Sequence, residues 1–315
     1  MIKLSQKIEG AIWGLLIGDA LGVPYEFHQP KDIPDSSDIE FEPPSFFQRY
    51  HIGVPPATWS DDGAHALCLL ASLLHCQSLD TTDLMKRLSD WYDFGYMAVD
   101  GKVFDVGIQT SNALSLFRAG VTALECGGGK ESNSKGNGSL MRCLPLALWH
   151  RGSDMMLVKD AHRQSKITHG SLRVQVCCAL YCLWGRRILY NISNPWYDAV
   201  NTLRQIYGEG SPEQEELEFY IRPDDDIVGE GSGYVVDSLR SAKMVLQKES
   251  YSEVVKAAIS LGRDTDTTAC IAGGLAGLKF GIDAIPKRWR NNLRGVEIFT
   301  PLIRELIEYI SEQVA

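Results

Sequence analysis

Basic residues are the scarcer charge in this chain. Its 315 residues hold 31 Lys and Arg against 40 Asp and Glu, a formal net charge of −9. That shortfall argues against sequence-independent binding to nucleic-acid backbones, which takes a basic face. An anion can still be held locally. Paired cysteines are also missing. None of the eight (Cys68, Cys76, Cys126, Cys143, Cys177, Cys178, Cys182, Cys270) forms a CxxC pair, and most lie in apolar runs such as "VQVCCALYCLW". Zinc sites use such pairs, so buried free thiols in a reducing compartment are expected instead. A leader and a membrane-length apolar run are lacking as well. "MIKLSQKIEGAIWGLLIGDALG" sets Lys3 and Lys7 before apolar residues, but Glu9 interrupts them. Asp19 then falls where a cleavage region is small and uncharged, and the run is too short to cross a bilayer. The stretch reads as a buried amphipathic helix, and the protein as cytoplasmic with no membrane association. Strand-like alternation is almost absent, and no repeat or linker divides the chain.

What is present is helical periodicity over a composition that is 44% hydrophobic and 23% charged, enough for a sizeable core. Ile8, Ile12, Leu15 and Leu16 make one helical stripe. Further helices fit residues 62–77, 82–95, 106–120, 139–151, 154–166, 170–190, 233–247, 251–261, 266–281 and 298–313. Gly273, Gly274 and Gly277 are unusual inside a helix, and at helical spacing they would let a neighbouring backbone come close. Residues 28–57, 125–138 and 208–232 read as long loops, rich in Pro, Gly, Ser or acid. Loops of this length in a compact domain are commonly functional or mobile. The expectation is an all-α, single compact multi-helix domain over 1–315.

Two acidic clusters stand out. "TWSDDGAHALCLL" sets Asp61 beside Asp62 in front of an apolar run, and "GRDTDTTACIAGGLAGL" repeats the setting with Asp264 and Asp266. Each cluster alone could be a helix start: Ser60 is a good N-cap, and first-turn acids complement the helix dipole. Capping does not need two adjacent repelling carboxylates, however, and neither cluster contains His or Cys. Carboxylates and hydroxyls alone suit hard cations, Mg²⁺ above all, with Mn²⁺ or Ca²⁺ next. A helix N-terminus contributes roughly +0.5 of a charge, which opposes a cation, and four acids would override it. Two divalent ions about 3.5–4 Å apart could hold a substrate hydroxyl and a water together. Without metal, four converging carboxylates would raise one another's pKa.

Two glycine-rich turns have the opposite character. In "SNSKGNGSLMRCLPLAL", Gly136, Asn137 and Gly138 precede a helical run, and Ser134 and Lys135 add donors. Such a turn is either plain punctuation or a nest of backbone N–H groups for a phosphate. "GEGSGYVVDSLRSA" places Gly231, Ser232 and Gly233 similarly, with Tyr234 offering either packing or a ring on which a base could stack. His169 in "KITHGS", Glu26 in "VPYEF" and Asp105 in "FDVGIQTSNAL" each have an ordinary structural reading as well.

Taken together, "GAIWGLLIGDALGVPYEF", "TWSDDGAHAL", "DVGIQT", "GNGSLMRCLPLAL", "THG", "GSGYVVDSL" and "LGRDTDTTACIAGGLAGLKFG" resemble the ADP-ribosylglycohydrolase family, in family order from about residue 9 to about 290. The resemblance implies an all-α fold around a central cleft with two Mg²⁺ (or Mn²⁺). It implies metal ligands at Ser60, Asp61, Asp62, Asp264, Asp266 and Thr267. It implies pyrophosphate near Ser134, Gly136, Asn137, Gly138 and His169, and adenosine near Gly231, Ser232, Gly233 and Tyr234. Glu26 matches an acidic position that gates or serves the metals, and Asp105 one tied to arginine-type members. Proton transfer would then fall to Asp62, Asp105 or Glu26. Three positions depart from the pattern: Ser60 and Gly63 stand where the first cluster usually has threonine, Ser60 keeping the hydroxyl, and Arg263 where glycine is frequent.

The implied activity is metal-dependent hydrolysis of the N-glycosidic bond between ADP-ribose and an arginine side chain of a protein. Other linkages (serine, a nucleobase, O-acetyl-ADP-ribose), service as an immunity protein against a toxin partner, and a catalytically silent ADP-ribose binder are the alternatives. Survival of Asp61, Asp62, Asp264 and Asp266 favours an enzyme.

Overall fold

The computed structural model describes residues 2–129 and 134–314. Its α-helices are α1 (Leu4–Gly22), α2 (Asp61–Cys76), α3 (Thr81–Phe94), α4 (Ile108–Arg118), α5 (Ala123–Cys126), α6 (Leu144–Trp149), α7 (Asp154–Lys166), α8 (Leu172–Leu189), α9 (Pro195–Tyr207), α10 (Pro212–Glu215), α11 (Val235–Val245), α12 (Tyr251–Ile259), α13 (Thr265–Phe280), α14 (Lys287–Asn292) and α15 (Val296–Val314). Among the described residues there is no strand, only an isolated bridge between Gly136 and Tyr234. One continuous apolar cluster runs from Ile8 on α1 to Ile310 on α15. No described helix is long and apolar enough to cross a membrane.

The centre of the fold is an antiparallel pair, α1 against α13. Gly10, Gly14, Gly18 and Gly22 recur every four residues and so share one face of α1. A methyl group on Gly10 would strike the carbonyl of Gly277, and one on Gly14 that of Gly273. On Gly18 it would strike Ala269, and on Gly22 the backbone of Asp266. The expected close approach at Gly273 and Gly277 is therefore real, and its partner is the first helix. Glycine costs a helix about 1 kcal/mol per position relative to alanine. Backbone-to-backbone contact along the seam offsets this through close packing. Tyr251 and Tyr181 lock the seam further, donating their buried hydroxyls to the carbonyls of Gly14 (2.8 Å) and Ile271 (2.9 Å).

Helix α8 is buried on every side, as "VQVCCALYCLW" leads one to expect of a core helix. All eight cysteines are free, and all but Cys76 are buried. Most helices lie within two residues of their expected bounds. The exception is 139–151, of which only Leu144–Trp149 is helical, because Pro145 sits in the first turn and Ser139–Arg142 form the preceding turn. The 208–232 stretch is not all loop. Ser211 caps Pro212–Glu215 through Gln214 N–H, and the chain continues as a π-helix to Ile221. Helix α9 was not anticipated. It buries only Ala199, Val200 and Leu203, too sparse a stripe to stand out, although Pro195 opens it and Gly208 closes it.

Candidate active site

The α1–α13 seam sets the site. It is antiparallel, so the C-terminal end of α1 lies beside the N-terminal end of α13, and Asp19 comes next to Asp266. Asp19 is fully buried and accepts from Ser60 N–H at 2.9 Å and from Gly63 N–H at 2.7 Å. It thus satisfies two backbone donors at the start of α2 and holds that helix against the pair. Ser60 is the N-cap of α2, its hydroxyl accepting from Asp62 N–H at 3.3 Å. The capping reading therefore holds for the first cluster, whereas Asp264, the N-cap of α13, makes no side-chain cap bond. The glycine at position 63 is demanded by packing, since a Cβ there would lie 2.8 Å from Leu16 and 2.9 Å from Trp59.

Carboxylate oxygens of Asp19, Asp62 and Asp266 lie within 4.8 Å of one another, and so do those of Glu26, Asp264 and Asp266. Asp266 is common to both groups. Thr267 Oγ1 and Ser60 Oγ each donate to Asp62 Oδ2, at 3.2 and 3.3 Å. Asp62 Oδ1 and both oxygens of Asp266 are buried with no hydrogen-bond partner. Burial, followed by neighbouring carboxylates, holds the Asp61, Asp62 and Asp266 acids well above their ordinary range. The same causes push Glu26 up to about 10. Burial raises Asp19 to about 7, against the pull of its Ser60 and Gly63 bonds, and Asp105 to about 6, helped by Asp264. Buried carboxylate oxygens without donors are costly, and nearby positive charge is what relieves them. An oxygen-only donor set with orphaned lone pairs fits hard divalent cations.

Glu26 is reached by an unusual backbone. Arg263 has φ +61°, a left-handed conformation that favours glycine and accounts for the frequent glycine at this position. Its N–H donates to His28 O, and its carbonyl accepts from Phe27 N–H, both at 2.6 Å. The turn before α13 is thereby clamped to the Glu26 loop. The Arg263 guanidinium turns to Glu230, bonding its carbonyl and lying 3.6 Å from its carboxylate. Asp105 also has a positive φ, +54°. It lies with Glu26 and His51 in a third group whose ligand atoms are within 4.8 Å.

Beside the acids a cleft of about 720 Å³ opens, lined by Glu26, Asp61, Asp105, Asp264 and Thr267 on one side and by Ser134, Gly136, Asn137, Gly138, His169, Ser232 and Gly233 on the other. The two glycine turns are one structure. Asn137 N–H donates to Gly233 O (3.2 Å), and Val235 N–H to Lys135 O (3.0 Å). The Asn137 amide donates to Ser238 Oγ (2.9 Å) and to Asp264 Oδ2 (2.8 Å), tying the turns to the second acidic cluster. Under the Gly136–Gly138 turn lies Arg142, fully buried. It donates to the side chain and carbonyl of Gln164 and to Thr168 Oγ1 at 2.9 Å. Thr168 Oγ1 is in turn 2.8 Å from His169 Nδ1. The Thr168 hydroxyl can accept from Arg142 and donate to Nδ1 at once, and in that arrangement the ring hydrogen sits on Nε2, beside Gly136 and Gly138. Burial, then Arg142, lowers His169 to about 3, so the ring is neutral.

All the expected metal-cluster residues are thus drawn to one place. Two of the expected adenosine residues are not in the cleft lining. Gly231 lies behind it, donating to Ser241 Oγ and accepting from Asp264 N–H. Tyr234 is outside, its hydroxyl accepting from Arg173 at 3.0 Å. The 125–138 loop is described except for 130–133. Two residues escaped the sequence reading. Asp19 carried a legible signal, a lone acid inside an apolar helix. His51, 2.6 Å from Glu26 Oε2, carried none, being one polar residue in a long loop. It stands among Phe27, Tyr50 and Phe104 at the cleft mouth, with ring centroids 4.5 to 6.4 Å apart.

The ADP-ribosylglycohydrolase family model matches residues 2–315. An ADP-ribosylarginine hydrolase Tri1 of Serratia proteamaculans is 29% identical over 98% of this chain and 80% of its own. The ADP-ribosyl-dinitrogen reductase glycohydrolase of Rhodospirillum rubrum is 26% identical over 92% of this chain and 91% of its own. Among solved structures, one titled an ADP-ribosylglycohydrolase-related protein complex superposes with a TM-score of 0.77 at 27% identity, covering 98% of this chain and 99% of that one.

Proposed function

This chain belongs to the ADP-ribosylglycohydrolase family, and from that premise we propose that it is a Mg²⁺-dependent hydrolase of the N-glycosidic bond between ADP-ribose and an arginine side chain. One observation carries the reading. Asp62 and Asp266, with unpartnered buried oxygens, adjoin Thr267 and Asp264, which line a cleft whose other wall is a backbone-rich turn with a neutral histidine. The first wall suits cations and sugar hydroxyls, and the second a pyrophosphate. The arginine linkage is supported by the relatives that are ADP-ribosylarginine hydrolases by name. We read residues 1–315 as a single domain and, from eight unpaired thiols, place it in the cytoplasm.

Ser60, Asp61, Asp62, Asp264, Asp266 and Thr267 would hold two cations, Mg²⁺ or Mn²⁺. When bound, the cations would supply positive charge that orients ribose hydroxyls and lowers the pKa of water. The remaining work belongs to the chain. Asp19 fixes the start of α2 through Ser60 and Gly63 N–H, so that Asp61 and Asp62 keep their positions without rearrangement. Asn137 does the same for Asp264. The Gly136–Gly138 turn and His169 Nε2–H receive the pyrophosphate, aided by the buried charge of Arg142. Ser134, Ser232 and Gly233 border the same wall and contact the nucleotide end. Guanidine is a poor leaving group, so a positioned acid is needed. Asp105, held near 6 in a half-buried turn on the cleft wall, would deliver that proton, with Glu26 and Asp62 as the other carboxylate candidates.

The substrate is an ADP-ribosylated protein, of the kind an ADP-ribosylating toxin would produce. The test is a panel of defined ADP-ribosylated peptides, proteins and nucleic acid incubated with purified protein and Mg²⁺. Release of ADP-ribose from the arginine-linked member, abolished by chelation, supports the reading. Release only from a serine-linked or nucleobase-linked member replaces the linkage. No release from any, alongside tight ADP-ribose binding, would leave a silent binder.

A further inference from the structure

A second cavity lies at the other end of the α1–α13 pair. It measures about 970 Å³ and is lined by Lys7, Lys243 and Lys279 together with Trp196, Tyr197 and Ile192. No carboxylate lines it. Lys7 is on α1 and Lys279 on α13, roughly 18–20 Å of helix from Asp19 and Asp266. In a chain of net charge −9, three ammonium groups round one hollow are a local inversion of charge.

None of the three forms an ion pair among the described residues, and all their hydrogen-bond acceptors are neutral. Lys7 spends its three N–H groups on Ile188 O (2.8 Å), Leu189 O (3.4 Å) and Asn191 Oδ1 (2.6 Å). Lys243 gives one to Pro223 O (2.9 Å), and Lys279 one to Leu246 O (3.0 Å), which leaves each with two donors unspent. Asp224, the carboxylate that acts on Lys243, is itself paired with Arg204. Burial lowers all three ammonium groups from their ordinary range, a cost that an anion would offset. The remaining wall is aromatic. Lys243 lies 4.4 Å over the Trp196 ring, Trp184 meets that ring edge-on at 4.9 Å, and Tyr197 is 61% exposed.

We propose that this cavity binds a small aromatic anion, a flat ring system carrying a phosphate or carboxylate, with the Lys243 and Lys279 ammonium groups on the charge and Tyr197 and Ile192 on the ring. The site is separate from the cleft and does not depend on the reading given to it. A nucleoside phosphate and an aryl acid share this chemistry.

The probe is 1-anilinonaphthalene-8-sulfonate, with N-phenyl-1-naphthylamine as its uncharged counterpart, titrated by fluorescence into the full chain with excess Mg²⁺. Saturable binding of the sulfonate at least tenfold tighter than the neutral amine is expected. Lys243→Glu with Lys279→Glu should weaken it at least tenfold and leave the amine unchanged. Lys243→Ala with Lys279→Ala, milder for folding, should weaken it severalfold with an unchanged circular dichroism spectrum, and Asp61→Asn should not alter it. Displacement of the probe by ADP assigns a nucleoside phosphate, and displacement by 2-naphthoate but not ADP assigns an aryl acid. Equal binding of both probes, sulfonate binding that survives the lysine variants, or displacement by neither competitor overturns the proposal.

Discussion

The two ends of the α1–α13 pair share one seam and hold opposite charge. At one end Asp19 and Asp266 are wholly buried, and both Asp266 oxygens lack a donor. At the other, Lys7 and Lys279 meet neutral carbonyls, Lys7 buried and Lys279 exposed. Helix polarity accounts for part of the contrast. The acids gather where α2 and α13 begin, and Lys279 lies in the last turn of α13, each complementing the dipole. Lys7 does not follow this rule on its own helix; it serves the buried carbonyls ending α8. The difference teaches that the seam fixes where charges stand, while their neighbours decide whether a charge is settled or awaits a counter-charge.

The comparison breaks most completely if the seam is forced open. Gly18→Leu would drive a side chain into the Ala269 carbonyl, separating both ends at once. A loss above about 4 kcal/mol, or no folded protein, is expected in urea unfolding. An unchanged midpoint would show that the seam is not what holds the ends.

Asp266→Asn acts on the acidic end alone. Hydrolysis should fall about 100-fold or more, as the metal-holding role proposed for Asp266 requires. In cation-free buffer at pH 8 the same variant should raise thermal stability, because an amide removes one buried charge and can donate to neighbouring carboxylates. A drop in both activity and cation-free stability would contradict the charge argument.

The pH dependence of cation-free protein sharpens the contrast further. Asp105, Asp19 and Glu26 sit at about 6, 7 and 10 when folded, above the ordinary carboxylate range of the unfolded chain. The folded state therefore binds more protons than the unfolded state above pH 4. Stability from these groups is full at low pH and is lost as pH rises through those values. The melting temperature should fall between pH 5 and 8 without divalent cations. Added Mg²⁺ should raise it more at pH 8 than at pH 5. A flat profile would mean that the acids are already compensated.

The smallest effect belongs to the basic end. Lys7→Ala removes three hydrogen bonds to the close of α8, and about 1–2 kcal/mol of stability should go, with turnover unchanged. Equilibrium denaturation beside a kcat measurement checks both halves.

Legibility in the sequence followed the range of the interaction. Asp61, Asp62, Asp264 and Asp266 were readable because each precedes an apolar helix, and capping and dipole act within one turn. Gly273 and Gly277 announced a close neighbour without saying which. Helix α9 buries too little to show as an apolar stripe, and Pro145 in the first turn keeps the 139–151 helix to Leu144–Trp149. The surroundings of Tyr234 were not legible for another reason. Whether a ring at a helix start faces a cleft or Arg173 depends on a side chain 61 positions away.

By itself, then, the sequence determined the helices, the all-oxygen character of the acidic clusters and the glycine spacing, since these are set by neighbours along the chain. Only the tertiary structure decided that α1 is the partner of α13, that Asp19 holds the start of α2, that His51 meets Glu26, and that three lysines from separate helices share a hollow. Those outcomes depend on which backbones can approach most closely, and that is a property of two surfaces together and of neither segment alone.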